Sequence, residues 1–292
     1  MRTSVILSTY NQPRALELSL WGFAAQAVRD FEVVIADDGS RPDTAALVEA
    51  MRARTGLHLV HVWHEDRGFR KTEILNRAIL AARAEYLIFS DGDCIPRHDF
   101  VAVHLAHARP NRFLSGGYLK LPAAVSAAIT ADDVRAGRHA DLAWLRARGW
   151  RPGRHALRLV RSPALAAALD AVTTTRPHWK GNNASTWKEA CVRVNGFDLD
   201  MGYGGEDRAF GERLRNAGLE AKLIRFRAPT MHLDHPRPYQ DPEVVRHNRA
   251  IVRRIRDGRE TRARFGIAEL DSGVAPPERR RPPADARAGA GA

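Results

Sequence analysis

Short apolar runs and longer stretches of helical period alternate through the first hundred residues. Residues 4–8, 31–36, 57–63 and 86–90 are strand-length runs rich in Val, Ile, Leu or Phe and bounded by polar or small residues. Residues 14–27, 42–54 and 71–82 read as helices, and Pro42 suits a first helical turn, where its missing N–H costs nothing. Strand, helix, strand, helix predicts an α/β domain whose opening strands lie parallel, with right-handed crossovers. Ligands of such sheets bind beyond the carboxyl ends of the strands. Each expected strand runs out into a polar cluster: Thr9-Tyr10-Asn11, Asp37-Asp38-Gly39-Ser40, His64-Glu65-Asp66 and Asp91-Gly92-Asp93. The four clusters therefore share one rim.

The pattern changes after residue 119. Residues 120–178 are rich in Ala and Arg and largely helical in pattern, which suggests an insert or lid over the rim. Motifs become dense again over 179–240, with a strand expected at 221–226. Residues 241–269 form a basic extension with a helix over 242–256, and 270–292, rich in Pro, Arg, Gly and Ala, are expected to be disordered.

Charge and cysteine content narrow the setting. The 292 residues carry a net charge of +12, almost all of it from arginine, with lysine only at positions 71, 120, 180, 188 and 222. Such an excess suits an acidic partner: nucleotide phosphates, an anionic membrane surface or nucleic acid. Much of it lies at 246–264 and in Arg279-Arg280-Arg281, where a solvated tail and a peripheral membrane contact are both open readings. No apolar run approaches the ~18 residues of a membrane-spanning helix. The first residues lack a signal-peptide layout. Two cysteines, Cys94 and Cys191, are too few for a disulfide framework, so a reducing compartment, the cytoplasm, is expected.

Four constellations can carry chemistry. In Asp91-Gly92-Asp93 two carboxylates flank a small residue, so both can approach one hard cation such as Mg²⁺ or Mn²⁺; a plain Asp-Gly turn is the alternative. In Asp37-Asp38-Gly39-Ser40 one Asp can hydrogen-bond a base or ribose, or the segment is a turn with Ser40 capping the next helix. Gly202-Tyr203-Gly204-Gly205 places a glycine run before Glu206 and Asp207 at an expected helix start. There the helix dipole alone favours carboxylates, by ~0.3–1 kcal/mol. An ionised carboxylate in a cleft is also what a general base needs. His232-Leu233-Asp234-His235 adds imidazoles able to bind Mn²⁺ or Zn²⁺.

Taken together, these motifs resemble the family 2 glycosyltransferases of GT-A fold. The resemblance runs through Val5-Ile6-Leu7-Ser8-Thr9-Tyr10-Asn11, Val33–Ser40, Glu65–Arg70, Asn76-Arg77-Ala78 and Leu87–Asp93. It resumes at Gly181-Asn182-Asn183-Ala184-Ser185, Asn195-Gly196-Phe197-Asp198 and Gly204-Gly205-Glu206-Asp207, where it is similar to β-1,4-galactosyltransferases and bacterial chondroitin-type polymerases. It implies a Rossmann-like mixed sheet flanked by helices, a single domain with a helical insert. Residues 1–119 would then be the nucleotide-sugar-binding half and 179–240 the acceptor-binding and catalytic half. The implied activity is inverting transfer of a sugar from a nucleoside-diphosphate donor, usually a UDP-sugar, to a glycan, lipid-linked or small-molecule hydroxyl.

By the same resemblance, Thr9, Tyr10, Asn11, Asp38, Asp66, Arg70, Asn76, Asp91 and Gly92 face the donor. Asp93 and His232 hold Mn²⁺ or Mg²⁺, with His235 the less favoured histidine. Glu206, Gly205, Tyr203 and Asn183 face the acceptor, and Asp207 is the base. Tyr203 departs from the pattern, since relatives often have Trp there. Lys71 reads as surface-solvated. A metal-dependent nucleotidyltransferase is the rival enzyme but leaves Gly-Gly-Glu-Asp unexplained. A glycosidase needs opposed rather than adjacent carboxylates. A nucleic-acid-binding protein would explain the charge, yet no such module is recognisable, so nucleic acid is not an expected partner.

Overall fold

The computed structural model describes residues 1–235 and 241–270. The chain order opens β1 (Thr3–Thr9), α1 (Pro13–Ala24), β2 (Phe31–Asp37), α2 (Pro42–Thr55), β3 (His58–Trp63), α3 (Lys71–Ala81) and β4 (Tyr86–Asp91). Next come β5 (Cys94–Pro96), α4 (Phe100–His107), β6 (Arg112–Ser115) and β7 (Gly117–Lys120). Four short helices follow: α5 (Ala123–Ala128), α6 (Ala131–Arg135), α7 (Leu142–Ala147) and α8 (Pro163–Val172). The chain then forms β8 (Ala184–Trp187), α9 (Lys188–Arg193), α10 (Glu206–Asn216), β9 (Glu220–Leu223), β10 (Pro229–His232) and α11 (Pro242–Asp257). No helix among the described residues is long and apolar enough to cross a membrane.

The main sheet runs β3-β2-β1-β4-β8-β6-β9. Its first four strands are parallel, while β8 lies antiparallel to both β4 and β6, so the sheet is mixed. Strands β1 and β2 are buried along their whole length, and strand alternation sorts their side chains into two cores. Val5, Leu7, Val33 and Ile35 pack with Leu16, Leu20 and Phe23 of α1 and with Val48 and Met51 of α2. Ile6 and Val34 face the other way, against Ile74 and Ile79 of α3 and Phe210 and Leu214 of α10. Each fully buried Leu, Ile or Phe contributes roughly 1.5–3 kcal/mol. That two-sided burial holds the carboxyl ends of the strands rigid at one rim.

A second sheet, β5-β10-β7, lies beside that rim. Its pairing sets His232 opposite Cys94 on one side and Lys120 on the other. The stretch 120–178 is seated in the first core through Val125, Ile129, Val134, Leu145, Trp150 and Leu159. It is a packed layer, not a free lid. Helix α11 buries Ile251 and Ile255 against Met201 and Ala209 of the glycine loop and α10, and leaves Arg246, Arg249, Arg253 and Arg256 exposed.

Two local expectations change. Arg41, not Ser40, is the N-cap of α2, and it makes no side-chain cap bond. The Ser40 hydroxyl accepts instead from the Asn11 N–H at 2.8 Å, while the Ser40 N–H donates to Asp37 Oδ1 at 2.8 Å. The strand expected at 221–226 ends at Leu223, because the chain then turns, with the Arg227 N–H donating to the Ile224 carbonyl at 3.1 Å. Of the segment expected to be disordered, 270–292, all but Leu270 lies outside the described residues, Arg279-Arg280-Arg281 included.

Candidate active site

At the β1–β3 end of the rim the carboxylates are paired. Asp37, fully buried, accepts from Ser40 and lies 2.9 Å from His61 Nε2, which shapes the turn. Asp38 Oδ1 meets His64 Nε2 at 2.8 Å and Oδ2 accepts the Arg70 N–H at 3.0 Å. Asp66 accepts from the Tyr10 hydroxyl at 2.9 Å and from the Gly68 N–H at 2.9 Å. Gly39, at φ +90°, has no room for a Cβ, which would come within 2.6 Å of the Asp66 Cα. Thr9, Tyr10, Asn11, Asp38 and Asp66 thus share one wall, beside the exposed Trp63. The Arg70 guanidinium turns to Glu73, its Nε donating at 2.9 Å.

The Asp91-Gly92-Asp93 turn is set by its glycine. The Gly92 N–H donates to the Ser8 carbonyl at 2.7 Å, and its carbonyl accepts from the Ser19 hydroxyl at 2.9 Å. A Cβ there would press on Ser8 and Thr9 at 3.1–3.2 Å. Asp91 Oδ1 accepts from the Ser8 hydroxyl at 2.6 Å and from Lys71 Nζ at 2.8 Å. Asp93 Oδ2 lies 2.8 Å from His235 Nε2 and 3.8 Å from His232 Nε2. Burial pushes the Asp93 carboxyl up, but the His235 bond and the two imidazoles outweigh it and hold the group below its usual range.

Ligand atoms of Asp93, Cys94 and His232 lie within 4.8 Å of one another. Carboxylate plus imidazole is a donor set that suits Mn²⁺ and related divalent ions. The buried Cys94 thiol is pushed well above its ordinary range, by burial first and then by Asp93 and Asp91. Asp93 and the histidines therefore fit a divalent cation. His235 stands closer to Asp93 than the favoured His232 does.

The third part is built on α10. Gly204 and Gly205 hold φ of +99° and +110°, a region open to glycine, and Gly205 is the helix N-cap. The turn places Glu206, almost fully buried, with Oε2 accepting the Gly204 N–H at 2.8 Å. Asp207 Oδ2 accepts the Gly181 N–H at 2.8 Å, and its Oδ1 is buried without a hydrogen-bond partner. Burial, then the charge of Glu206, pushes the Asp207 carboxyl up to about 7, with Asp91 adding and Lys71 opposing. That outcome reverses the dipole argument: desolvation and like charge win over the helix start.

Lys71 is half-buried, not surface-solvated. Burial opposes its charge, but Asp91, Asp207 and Glu206 outweigh that and raise its pKa well above the ordinary value. Tyr203 meets Phe69 edge to face at 5.7 Å. Asn248 of α11 donates to the carbonyls of Gly202, Tyr203 and Gly204, at 2.9, 3.3 and 3.0 Å. Its place was legible in the pattern: it continues the apolar stripe of Ile251 and Ile255 on a basic helix, where a polar residue has a reason.

Two expected site residues serve the scaffold. Asn76 is fully buried, and its amide donates to the Phe197 carbonyl at 2.8 Å and accepts the Phe197 N–H at 2.7 Å. Asn183, also fully buried, donates to the carbonyls of Gly117 at 2.7 Å and Ala228 at 2.6 Å, with Oδ1 3.0 Å from His104 Nε2. Both amides bond to the protein at their oxygen and at their nitrogen and are shut off from solvent. The motifs place both at the site, but Asn76 ties α3 to the segment at Phe197, and Asn183 ties β7 to the segment before β10.

The mixed sheet, the acidic turn beside an imidazole pair and the Gly-Gly-Glu-Asp helix start define a GT-A type fold and site. Residues 4–118 match the model of glycosyl transferase family 2, and 167–236 match the model described as the N-terminal domain of galactosyltransferase. The chain belongs to the family 2 glycosyltransferases of GT-A fold, with a galactosyltransferase-like C-terminal half. It is 30% identical over 237 residues to validoxylamine A glucosyltransferase of Streptomyces hygroscopicus subsp. jinggangensis, covering 76% of this chain and 53% of that protein. It is 24% identical to chondroitin synthase of Escherichia coli, over 74% of this chain and 32% of that one. The chain thus spans about half the length, or less, of these curated relatives.

Among solved structures, S. aureus TarS 1–349 in complex with UDP-GlcNAc superposes with a TM-score of 0.58 at 17% identity, covering 93% of this chain and 70% of that one. The mannosyltransferase PcManGT from Pyrobaculum calidifontis, in complex with GDP-Man and Mn²⁺, gives 0.56 at 20% identity, covering 88% and 71%. These likenesses are likenesses of fold.

Proposed function

We propose that this protein transfers a sugar from a nucleoside-diphosphate donor to an acceptor hydroxyl, with inversion at the anomeric carbon and Asp207 as the base. The observation that carries the reading is Asp207 itself: a carboxylate with one bound and one unpartnered oxygen, pushed up to about 7, beside Glu206 and Lys71. Such a group takes a proton near neutral pH. Glu206, fixed by Gly204, accepts a hydrogen bond from a second acceptor hydroxyl, and Tyr203 offers an aromatic face to the sugar. Proton transfer to Asp207 makes the hydroxyl a nucleophile. Lys71 holds Asp91 in place and keeps the acidic cluster tolerable.

The wall of Thr9, Tyr10, Asn11, Asp38 and Asp66 takes the nucleoside, with UDP the favoured donor nucleotide. Asp93 with His232 or His235 would hold Mn²⁺ or Mg²⁺, which as a Lewis acid stabilises charge on the leaving diphosphate. Two free, buried cysteines suit a reducing compartment, the cytoplasm. The exposed arginines of α11 suit peripheral contact with an anionic membrane, and nucleic acid is no partner in this reading. A panel of UDP- and GDP-sugars, assayed for released nucleoside diphosphate with and without Mn²⁺, tests the proposal. Release from one or a few donors, dependent on the ion, is expected. Turnover of a nucleoside triphosphate with release of pyrophosphate, and none of any sugar nucleotide, would make the protein a nucleotidyltransferase instead.

A further inference from the structure

Three cations gather on the insert side of the catalytic strip. Lys180 precedes the Gly181 that holds Asp207, Arg158 lies in the 3-10 turn Gly153–Leu159 of the insert, and Arg225 follows β9. All three are half-buried. Their hydrogen bonds go to neutral acceptors: Lys180 Nζ to the Gly116 carbonyl at 3.4 Å, Arg158 to the Tyr118 carbonyl, and Arg225 to the Thr175 hydroxyl. Arg225 Nε is buried without a partner. Among the described residues none of the three forms an ion pair, whereas nearby Arg97 and Arg227 are matched to Asp99 and Asp170.

The charges lie close enough to work against one another. Burial, then Arg225 and Arg158, pushes Lys180 down to about 8, and burial with Arg225 lowers Arg158 as well. Gathering like charges where water is partly excluded is unfavourable. An entering anion would relieve it, and guanidinium and ammonium groups match carboxylate, phosphate or sulfate oxygens. The cluster lies within reach of the chemistry: Lys180 adjoins the holder of Asp207, and the Tyr118 ring stands 5.8 Å from that of His232.

We propose that Lys180, Arg158 and Arg225 form a subsite for an anionic group on the acceptor, a carboxylate or a phosphate or sulfate ester carried near the hydroxyl that receives the sugar. The proposal rests on the glycosyltransferase reading and names the acceptor class. Two observations favour the acceptor over the donor diphosphate. The nucleoside wall stands on β1–β3, on the other side of the acidic turn, whereas the cluster is drawn from the insert and from the loops beside Gly181 and β9. Arg158 also lies in the insert, outside the segment 4–118 that carries the nucleoside wall and matches the glycosyl transferase family 2 model.

Saturation-transfer NMR on the full chain, with glucose, glucuronate and glucose 6-phosphate as probes, reads the subsite without turnover. Calorimetry with UDP and Mn²⁺ runs in parallel. The two acidic sugars should bind about tenfold more tightly than glucose, the worth of one charge-assisted hydrogen bond. Arg158→Gln and Arg225→Gln should erase that preference and leave UDP affinity unchanged. Arg158→Glu supplies an internal counter-ion, so it should also erase the preference while raising the melting temperature, which keeps the test decisive where Arg225→Gln folds poorly. Equal binding of the three sugars by the wild type would overturn the subsite. So would variants that weaken UDP as much as the acidic sugars, since the cluster would then serve the donor. Absence of any nucleoside-diphosphate binding would strike at the transferase reading, while the sugar comparison still tests the cluster separately.

Discussion

The proposed nucleoside wall and the proposed transfer end are both lined with carboxylates, yet they treat them in opposite ways. At the wall every carboxylate is matched: Asp37 to Ser40 and His61, Asp38 to His64 and Arg70, Asp66 to Tyr10 and Gly68. At the transfer end the fold leaves charges short of partners. Asp207 Oδ1 is buried and unbonded beside Glu206, and Lys180, bonded only to the Gly116 carbonyl, has Arg225 and Arg158 as its charged neighbours. A recognition surface gains from groups fixed in one protonation state. A proton-transfer site gains from a group poised to change its state, and burial beside like charge creates one.

The largest break in the comparison comes from the metal. EDTA should abolish transfer and Mn²⁺ should restore it, and Asp93→Ala should lose both donor binding and turnover, read by calorimetry beside a transfer assay. Full activity in chelator would remove Asp93 from this role.

Next in size is Asp207→Asn, which should cut transfer by roughly 10²–10⁴-fold while donor affinity survives. In the wild type, transfer should rise with pH through about 7, because the base works only when ionised. Stability has the opposite sign. A carboxyl whose pKa is raised on folding favours the native state at low pH, and that advantage is lost as pH rises from the ordinary range near 4 through about 7. The Asn variant should therefore melt higher than the wild type above pH 7, with the gap closing on acidification. A variant that transfers at the wild-type rate would take Asp207 out of the mechanism.

Lys71→Met should have a smaller effect, about tenfold on turnover at pH 7, the scale of a one-unit pKa change. Removing the cation that opposes Asp91, Glu206 and Asp207 should move the alkaline-rising limb of the pH profile upward. A purely structural role predicts a lower melting temperature with the profile unmoved. The mildest change is Asn248→Ala, which releases three carbonyls of the glycine loop and should cost ~1–3 kcal/mol of stability. Its kinetic signature should be a raised acceptor KM with donor affinity unchanged, since the loop carries Tyr203 and Glu206 but not the nucleoside wall.

Much of this was open to a reader of the chain alone. Apolar runs of strand length and helices of matching period located β1–β4 and α1–α3 within a residue or two at most ends, because those elements are buried on repeating faces. The order of polar clusters, with Gly39 at a turn that admits no side chain and Gly92 at one where a Cβ would be crowded, marked the rim. Pattern could not say which polar residues face a ligand. Asn76 and Asn183 sit inside motifs, yet their amides are consumed by loop carbonyls more than forty residues away in sequence. Lys71 looked like an ordinary helix-start lysine until folding brought Asp91, Glu206 and Asp207 to it.

Local patterning by itself determined the elements, the rim and the kinds of side chain gathered there, since period and turn chemistry act over a few residues. Shifted protonation equilibria, the approach of both His232 and His235 to Asp93, and the gathering of cations around Lys180 arise only in three dimensions. Desolvation and Coulomb energy depend on which charges approach through space, and here the deciding neighbours come from strands and loops far apart along the chain.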